Sequence, residues 1–227
     1  MGAVIKKELK NYFLSPIGYV VIGIFLIIFS TFFFVTTITT PSVDLANLFY
    51  CVAFYGLMFI APLLTMWTFA GERKSGTEQI LLTAPVSMLG VVIAKFLVSL
   101  ILVVIPLIST LMYFGILCFF EVPNIPIYLT SMLGFLLLSM CYMSFGILVS
   151  SLTESPIISG ILTFAFVSAT TWMPEFVSSL ESFSLINKFI TFLYGQIDIT
   201  AIILFVTFTI LCILITMIIM QRRKSIK

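Results

Sequence analysis

Six long apolar runs separated by short polar segments set the architecture of this 227-residue chain. They cover residues 16–38, 45–70, 89–120, 127–150, 156–173 and 198–220. A helix that crosses a membrane needs about 20 mostly apolar residues, and only the fifth run is short. Charged residues make up 9% of the chain, whereas soluble domains carry about 25%. We therefore expect an all-α polytopic membrane protein, with residues 1–227 forming one six-span transmembrane domain.

Positive charge predicts how the spans are oriented. With six spans both termini share one side, which would hold ten of the eleven lysines and arginines and leave only Lys188 opposite. The acidic residues of the opposite side would be Asp44, Glu121, Glu175, Glu181 and Asp198. Because basic loops remain in the cytoplasm, both termini are predicted to be cytoplasmic.

Residues 1–15 form a predicted amphipathic helix that lies along the cytoplasmic membrane surface. One helical face carries Ile5, Leu9, Tyr12 and Phe13. The charged residues of the segment are Lys6, Lys7, Glu8 and Lys10. An apolar face opposite basic residues is typical of an interfacial helix. A simple basic topology anchor is the alternative interpretation.

Two prolines and one long connection interrupt the apolar pattern. Pro62 and Pro106 fall in the middle of the second and third spans, and proline usually kinks a helix because it removes a backbone hydrogen bond. Residues 174–197 hold apolar residues at near-helical spacing, but Glu181 and Lys188 make them a poor span. We expect one or two short helices at the outer surface there, either lying on the membrane or re-entrant.

Residues 71–87, GERKSGTEQILLTAPVS, are the one strongly polar stretch in the first half of the chain. Gly71 and Gly76 match the start of the phosphate-binding loop G-x-x-x-x-G-K-[ST], but Thr77 stands where that loop requires lysine. A membrane span, and not a strand, precedes the stretch, so we do not expect this chain to hydrolyse ATP. We predict a short amphipathic helix capped by Ser75 or Thr77, with Glu78 in its first turn. A plain solvated loop is the alternative.

The sequence offers no recognisable catalytic or metal-binding cluster. It has no histidine, and its four cysteines are widely spaced inside apolar runs, so a metal site would need carboxylates alone. Ion-coupled transporters place charged residues in mid-membrane, but these spans hold almost none. Lys95 lies about one turn into the third span and could extend to the cytoplasm, while Asp198 suits the N-terminus of the sixth span. We expect a non-enzymatic chain that binds no cofactor.

The polar stretch resembles a segment of the membrane subunits of ABC-2 type exporters. It is most similar to their six-span branch, which includes gliding-motility and nitrous-oxide-reductase-maturation permeases and reads E-[KR]-x-x-G-T-x-E-x-L-L-[TS]-x-P-[VL]-[ST] between its second and third spans. The matching residues are Glu72, Arg73, Gly76, Thr77, Leu81, Leu82, Thr83, Pro85, Val86 and Ser87. The acidic residue of the pattern is replaced by Gln79 or displaced to Glu78. KKELKNYFLSPIGYV, ILVSSLTESPIISGILTF, GQIDI and QRRK also occur in the family's order.

The resemblance implies that residues 71–87 contain a coupling helix that binds a separate ATP-hydrolysing subunit. The contact residues would be Glu72, Arg73, Lys74, Ser75, Gly76, Thr77, Glu78 and Gln79. A second cytoplasmic contact would comprise Ser151, Thr153, Glu154 and Ser155. The first helix, with Lys6, Lys7, Glu8 and Lys10, would be the family's connecting helix, and residues 174–197 its short outer helices.

The resemblance also implies the assembly and its place in the cell. Two permease copies, identical or paired with a relative, would pack in a bacterial cytoplasmic membrane against two ATPases that carry ATP and Mg. Membrane lipid would be the other partner, with no nucleic acid. Export is the expected direction, and a hydrophobic peptide or lipid-linked molecule the expected cargo. A mechanical role without cargo, a channel that needs no ATPase and a membrane scaffold or immunity protein are the alternatives.

Overall fold

The computed structural model of the protein describes residues 2–39, 45–79, 87–119, 124–176 and 184–226. Within these ranges the chain is helical and contains no strand, which confirms the predicted all-α class. The helices are α1 (Gly2–Leu14), α2 (Pro16–Thr39), α3 (Leu45–Cys51), a π-helix (Val52–Gly56), α4 (Leu57–Thr65), α5 (Ala70–Lys74), α6 (Met88–Leu117), α7 (Ile125–Leu152), α8 (Pro156–Phe176), α9 (Leu185–Leu193) and α10 (Ile199–Ile226).

Five helical segments in the described part of the chain are long and apolar enough to cross a membrane. They are Pro16–Thr36, Ala46–Lys74, Met88–Leu117, Ile125–Leu152 and Ile199–Ser225. The predicted fifth span corresponds to α8, whose described apolar segment Pro156–Trp172 is shorter than the other five. The structure therefore shows a polytopic helical protein, and the count of six spans stays a prediction.

The second span is not one continuous α-helix, and its interruptions lie on both sides of Pro62. The span begins as α3, passes through the π-helix Val52–Gly56 and continues as α4, which contains Pro62 and ends at Thr65. Residues Met66–Phe69 then leave the helical path before α5 begins. Pro106, in contrast, lies inside α6, whose helix continues on both sides of it. The two prolines thus occupy different settings, one near a helix end and one in an uninterrupted helix.

Helix α7 lies at the centre of the bundle, against α3, α4, α6, α8, α9 and α10. Glycines allow its neighbours to approach closely, as small residues commonly do between membrane helices. A Cβ atom added at Gly146 would lie 2.2 Å from Thr65 Oγ1, and one added at Gly134 would lie 2.7 Å from Phe192 Cβ. These two glycines fix how near α4 and α9 come to α7.

The short helix α9 lies in the segment where the sequence predicted short outer helices, and it packs against the bundle. Its residues Leu185, Ile186, Phe189, Phe192 and Leu193 are buried, mainly against α7. Residues 177–183 of the predicted outer segment lie outside the described residues. Near its end, Asp198 Oδ1 accepts a hydrogen bond from the N–H of Thr200 at 2.9 Å. The predicted role of Asp198 at the start of α10 is confirmed.

Helix α1 has the predicted amphipathic character. Its apolar residues Ile5, Leu9, Tyr12 and Phe13 pack against the core, and its lysines Lys6, Lys7 and Lys10 are exposed. Glu8 differs from the other charged residues of the helix because it is buried. Helix α1 packs against α6, and Glu8 of α1 and Glu72 of α5 both pair with Lys95 near the start of α6. Together with the end of α10, where Arg223 pairs with Glu78, we call this part of the molecule the charged end.

Candidate functional site

The polar stretch after the second span forms a helix end and a turn. Helix α5 ends at Lys74, a turn occupies residues 75–77, and helical structure resumes at Glu78 and Gln79. Gly76 has φ +72°, a conformation that glycine adopts without steric cost. The Ser75 hydroxyl donates to Gly71 O at 3.0 Å, which satisfies a carbonyl of α5. Helical structure thus resumes at Glu78, the residue predicted for the first turn of the helix, and the rest of the predicted helix, residues 80–86, lies outside the described residues.

The predicted docking residues divide into an outward and an inward set. The exposed residues are Lys74, Ser75, Gly76, Thr77 and Gln79, which we call the exposed edge. Glu72, Arg73 and Glu78 keep 17%, 10% and 10% of their side-chain surface accessible, and all three form ion pairs inside the protein. Three of the four charged residues of this segment therefore connect it to the bundle, while Lys74 and the uncharged residues lie at the surface.

Lys95 forms the centre of a first group of charges, the inner triad Glu8, Glu72 and Lys95. Lys95 Nζ lies 2.9 Å from Glu72 Oε1 and 3.3 Å from Glu8 Oε1. It also donates to Thr68 O at 2.8 Å and lies 5.1 Å from the centre of the Phe69 ring. Lys95 was expected to extend to the cytoplasm, but the structure buries it with 2% of its surface accessible. Its partners on α1 and α5 replace the water that the ammonium group would otherwise bind.

Arg73 forms the centre of a second group, the outer triad Arg73, Glu78 and Arg223. The Arg73 guanidinium contacts both carboxylate oxygens of Glu78 at 3.3 Å. It also donates to Thr153 O at 2.6 Å and to Ser151 O at 3.0 Å, the carbonyls at the end of α7. Arg223 Nη1 of α10 lies 3.5 Å from Glu78 Oε1. Because the two triads join at the adjacent residues Glu72 and Arg73, side-chain contacts link the exposed edge to α1, α6, α7 and α10.

Side chains from three helices satisfy the backbone groups freed by the break at Met66–Phe69. The Tyr12 hydroxyl of α1 donates to Leu64 O at 2.8 Å, and Lys95 of α6 donates to Thr68 O as described above. Ser150 Oγ of α7 accepts from the N–H groups of Phe69 and Ala70 at 3.1 and 3.0 Å. A buried backbone group without a partner costs about 1–3 kcal/mol, so these contacts stabilise the break as a defined joint.

The second predicted contact, residues 151–155, lies beside the outer triad. Glu154 is exposed and Thr153 and Ser155 are half-buried, whereas Ser151 is buried and its hydroxyl donates to Leu148 O at 2.7 Å. Of the four residues predicted to make this contact, only Glu154 is exposed. The backbone carbonyls of Ser151 and Thr153 instead accept hydrogen bonds from Arg73.

The Tyr12 hydroxyl is buried near the carboxylates of the inner triad. Burial raises the pKa of Tyr12, and the neighbouring carboxylates of Glu8 and Glu72 raise this pKa further because they disfavour a second negative charge. The hydroxyl therefore stays protonated and keeps its hydrogen bond to Leu64 O over the physiological pH range.

A cavity of about 250 Å³ opens beside the inner triad. Glu8, Glu72 and Lys95 line one side of it, and Asn11, Tyr12 and Trp67 line another. Glu72 Oε2 is buried and has no hydrogen-bond partner within the described residues. A second, smaller and mostly apolar cavity lies next to it, since Ile17 and Trp67 line both.

Several residues of this site carried no sequence signal of their own. The sequence marked Lys95 as a lone charge in an apolar run and Glu8 as the one acid in a basic helix, and these two oddities could have suggested a pair. Ser150, Tyr12 and Gly146 could not have been found in this way, because serine, tyrosine and glycine are common at such positions in membrane helices.

A family model described as "ABC-2 family transporter protein" matches residues 57–193. The chain belongs to this family. The protein is thus a membrane component of a transporter, and its family generally has no catalytic activity of its own and implies an ABC ATPase partner. No curated protein matches the chain. The family match includes the break in the second span, the exposed edge and Lys95, whereas Glu8 and Arg223 lie outside the matched residues.

Proposed function

We propose that this ABC-2 family protein is the passive permease subunit of an exporter, driven by a separate ATPase that binds the exposed edge. Two copies of the permease, identical or paired with a relative, would form the pathway, with two ATPases bound on the cytoplasmic side. The triads at the charged end provide the main support for this proposal. They connect the exposed edge to four other helices through short contacts, so that a displacement of the edge would be transmitted to the spans.

The joint at Met66–Phe69 supports a mechanical role for the same region. It lies between α4, which packs on α7 and α8, and α5, which leads to the exposed edge. Closure of the ATPases on ATP would move α5, and the bonds from Tyr12, Lys95 and Ser150 would carry this movement into α1, α6 and α7. No catalytic group is needed in this chain, because ATP and Mg would be held by the partner.

The branch, the orientation and the cargo belong to the same proposal. The motif matches favour the branch of gliding-motility and nitrous-oxide-reductase-maturation permeases, with both termini in the cytoplasm of a bacterium. The apolar spans suit a hydrophobic peptide or lipid-linked cargo. A channel or scaffold that acts without an ATPase would have no use for a mechanically linked edge.

The experiment is a pull-down of the tagged full chain from its native membrane in mild detergent. We expect an ATPase subunit to co-purify with the wild type and to be reduced at least about tenfold with Lys74→Glu, a reversal of charge on the exposed edge. Arg222→Glu is the matched control, since Arg222 is also exposed at the charged end. Equal recovery of the ATPase with both variants would contradict docking on the edge, and absence of any ATPase with the wild type would favour a channel or a scaffold.

A further inference from the structure

The polar cavity beside the inner triad suits a lipid headgroup, and the apolar cavity next to it suits an acyl chain. The polar part has a volume of about 250 Å³ and is lined by Glu8, Glu72 and Lys95 among others. One water requires only about 10–15 Å³, so this part can hold a larger group. The apolar part, of about 150 Å³, is lined by Val20, Val21, Leu63 and Met66 among others. We propose that these two adjoining cavities together bind a phospholipid whose headgroup ends in a primary ammonium group.

The charge of the polar part favours a cation. Lys95 already directs its ammonium group at Glu8, Glu72 and Thr68 O, three acceptors for its three N–H groups. Two carboxylates therefore share one lysine, and Glu72 Oε2 is buried without a partner within the described residues. A ligand ammonium group would donate a charge-assisted hydrogen bond to this oxygen.

Trp67 lies where the two parts of the cavity meet, and about 42% of its surface is accessible. An indole ring attracts a cation through its face and tolerates the boundary between water and hydrocarbon. Asn11 is exposed on the rim of the polar part, where its side-chain amide can donate to a phosphate oxygen. Both residues suit a zwitterionic headgroup located at the level of the membrane surface.

The apolar part distinguishes a lipid from a soluble amine or a protein side chain. It lies between α2 and the end of α4, two segments of candidate membrane spans. A free amine would gain nothing from this groove, whereas an acyl chain would remove its apolar surface from water. Lipid binding at this cavity does not require the ATPase, so its test is independent of the docking proposal.

The test uses the full chain in detergent, freed of lipid, with dioleoyl phosphatidylethanolamine, phosphatidylcholine and phosphatidylglycerol added separately and bound lipid counted by native mass spectrometry. We expect the ethanolamine lipid to bind at least about tenfold more tightly than the choline lipid, whose trimethylated nitrogen cannot donate a hydrogen bond. Glu72→Gln should abolish this preference, and Glu154→Gln, at an exposed position of the charged end, should retain it.

Two further variants keep the test informative if Glu72→Gln fails to fold. Val20→Phe leaves the triad intact and fills the apolar part, so it should reduce binding of all dioleoyl lipids.

Trp172→Phe leaves Trp67 as the only tryptophan. The fluorescence of Trp67 should then be quenched more by brominated ethanolamine lipid than by brominated choline lipid. Equal binding and quenching by the lipids would overturn the proposal. So would shielding of Trp67 from a soluble quencher by the ATPase subunit alone, which would assign the cavity to a protein contact.

Discussion

Lys95 Nζ lies 2.9 Å from Glu72 Oε1, and this contact joins the start of the third span to the end of the second. The contact is nearly enclosed, since the Lys95 and Glu72 side chains keep only 1% and 17% of their surface accessible. Glu8, 87 positions from Lys95 along the chain, completes the triad at 3.3 Å. A single lysine therefore holds α1, α5 and α6 together at the charged end.

Replacing Lys95 should be the most damaging single change at the charged end. Lys95→Met removes the positive charge and leaves Glu8 and Glu72 facing each other without it. Because breaking a buried ion pair costs about 3–5 kcal/mol, we expect the free energy of unfolding to fall by that amount. Thermal unfolding in detergent would measure the loss. The control Lys10→Met, at an exposed position of α1, should stay within about 0.5 kcal/mol of wild type. A normal melting temperature for Lys95→Met would show that the triad contributes little stability.

Ser150→Ala should loosen the joint at Met66–Phe69 without unfolding the protein. The change removes the acceptor for the N–H groups of Phe69 and Ala70, and loss of a capping serine costs about 0.5–2 kcal/mol. We expect hydrogen exchange of these two amides to accelerate about tenfold. Ser168→Ala is the control, because Ser168 is half-buried and its hydroxyl bonds to Phe164 O and Ala165 O of its own helix. Unchanged exchange at residues 69 and 70 would mean that another group can replace Ser150.

The apolar runs predicted the spans well because membrane insertion depends on local composition. Residues 16–38 and 198–220 were expected as spans and appear as α2 and most of α10. The joint in the second span was not predicted, since its stability depends on Tyr12, Lys95 and Ser150, which are distant in sequence. Local pattern also placed the Lys95 ammonium group toward the cytoplasm, whereas partners on α1 and α5 bury it. It left open whether the segment of α9 is re-entrant, because burial of this helix depends on α7, which is distant in sequence.

The candidate site was predicted as a segment but not as an arrangement. Residues 71–79 were identified from their polarity and from the family motif, neither of which tells which side chains point outward. The inward direction of Glu72 and Arg73 follows from partners on α6 and α7. Their presence in the motif is therefore consistent with a structural role as well as with docking.

Gly146→Ala should separate α4 from α7. The new methyl group would lie 2.2 Å from Thr65 Oγ1 and 2.8 Å from Thr65 Cβ, so the helices must shift, at a cost of about 1–3 kcal/mol. Gly115→Ala is the matched control, because no atom lies within 4 Å of a Cβ at that position. There the higher helix propensity of alanine should leave stability unchanged or raise it by up to about 1 kcal/mol. Thermal unfolding of both variants in the same detergent would decide, and equal behaviour would contradict the close approach.

Tyr12→Phe should have a cost that depends on pH. Below about pH 10, the value at which an unfolded tyrosine ionises, the wild type should be more stable by about 1 kcal/mol because its hydroxyl bonds to Leu64 O. Burial raises the pKa of Tyr12 in the folded protein, so its stabilising contribution is complete below the unfolded pKa and declines as pH rises above it. Unfolding from about pH 8 to about pH 11 should show the two proteins converging. Tyr194→Phe, at a position 74% exposed, should show no such trend.

Substitutions at Gly76 should separate docking from folding. Gly76 has φ +72° and open space around it, so a side chain there meets backbone strain alone, of about 1–2 kcal/mol for ordinary residues and less for asparagine. Because this strain would be relieved by a displacement of the exposed edge, the substitutions should reduce recovery of the ATPase in the pull-down. The reduction should be smallest for Gly76→Asn, larger for Gly76→Ala and largest for Gly76→Val. Gly195, with φ +78° and far from the exposed edge in sequence, is the control for general destabilisation, because a side chain there meets the same backbone strain and also lies 3.3 Å from Ile127 Cγ1. If the same series at Gly195 reduced ATPase recovery equally, the loss would reflect general instability, and docking on the exposed edge would have to be abandoned.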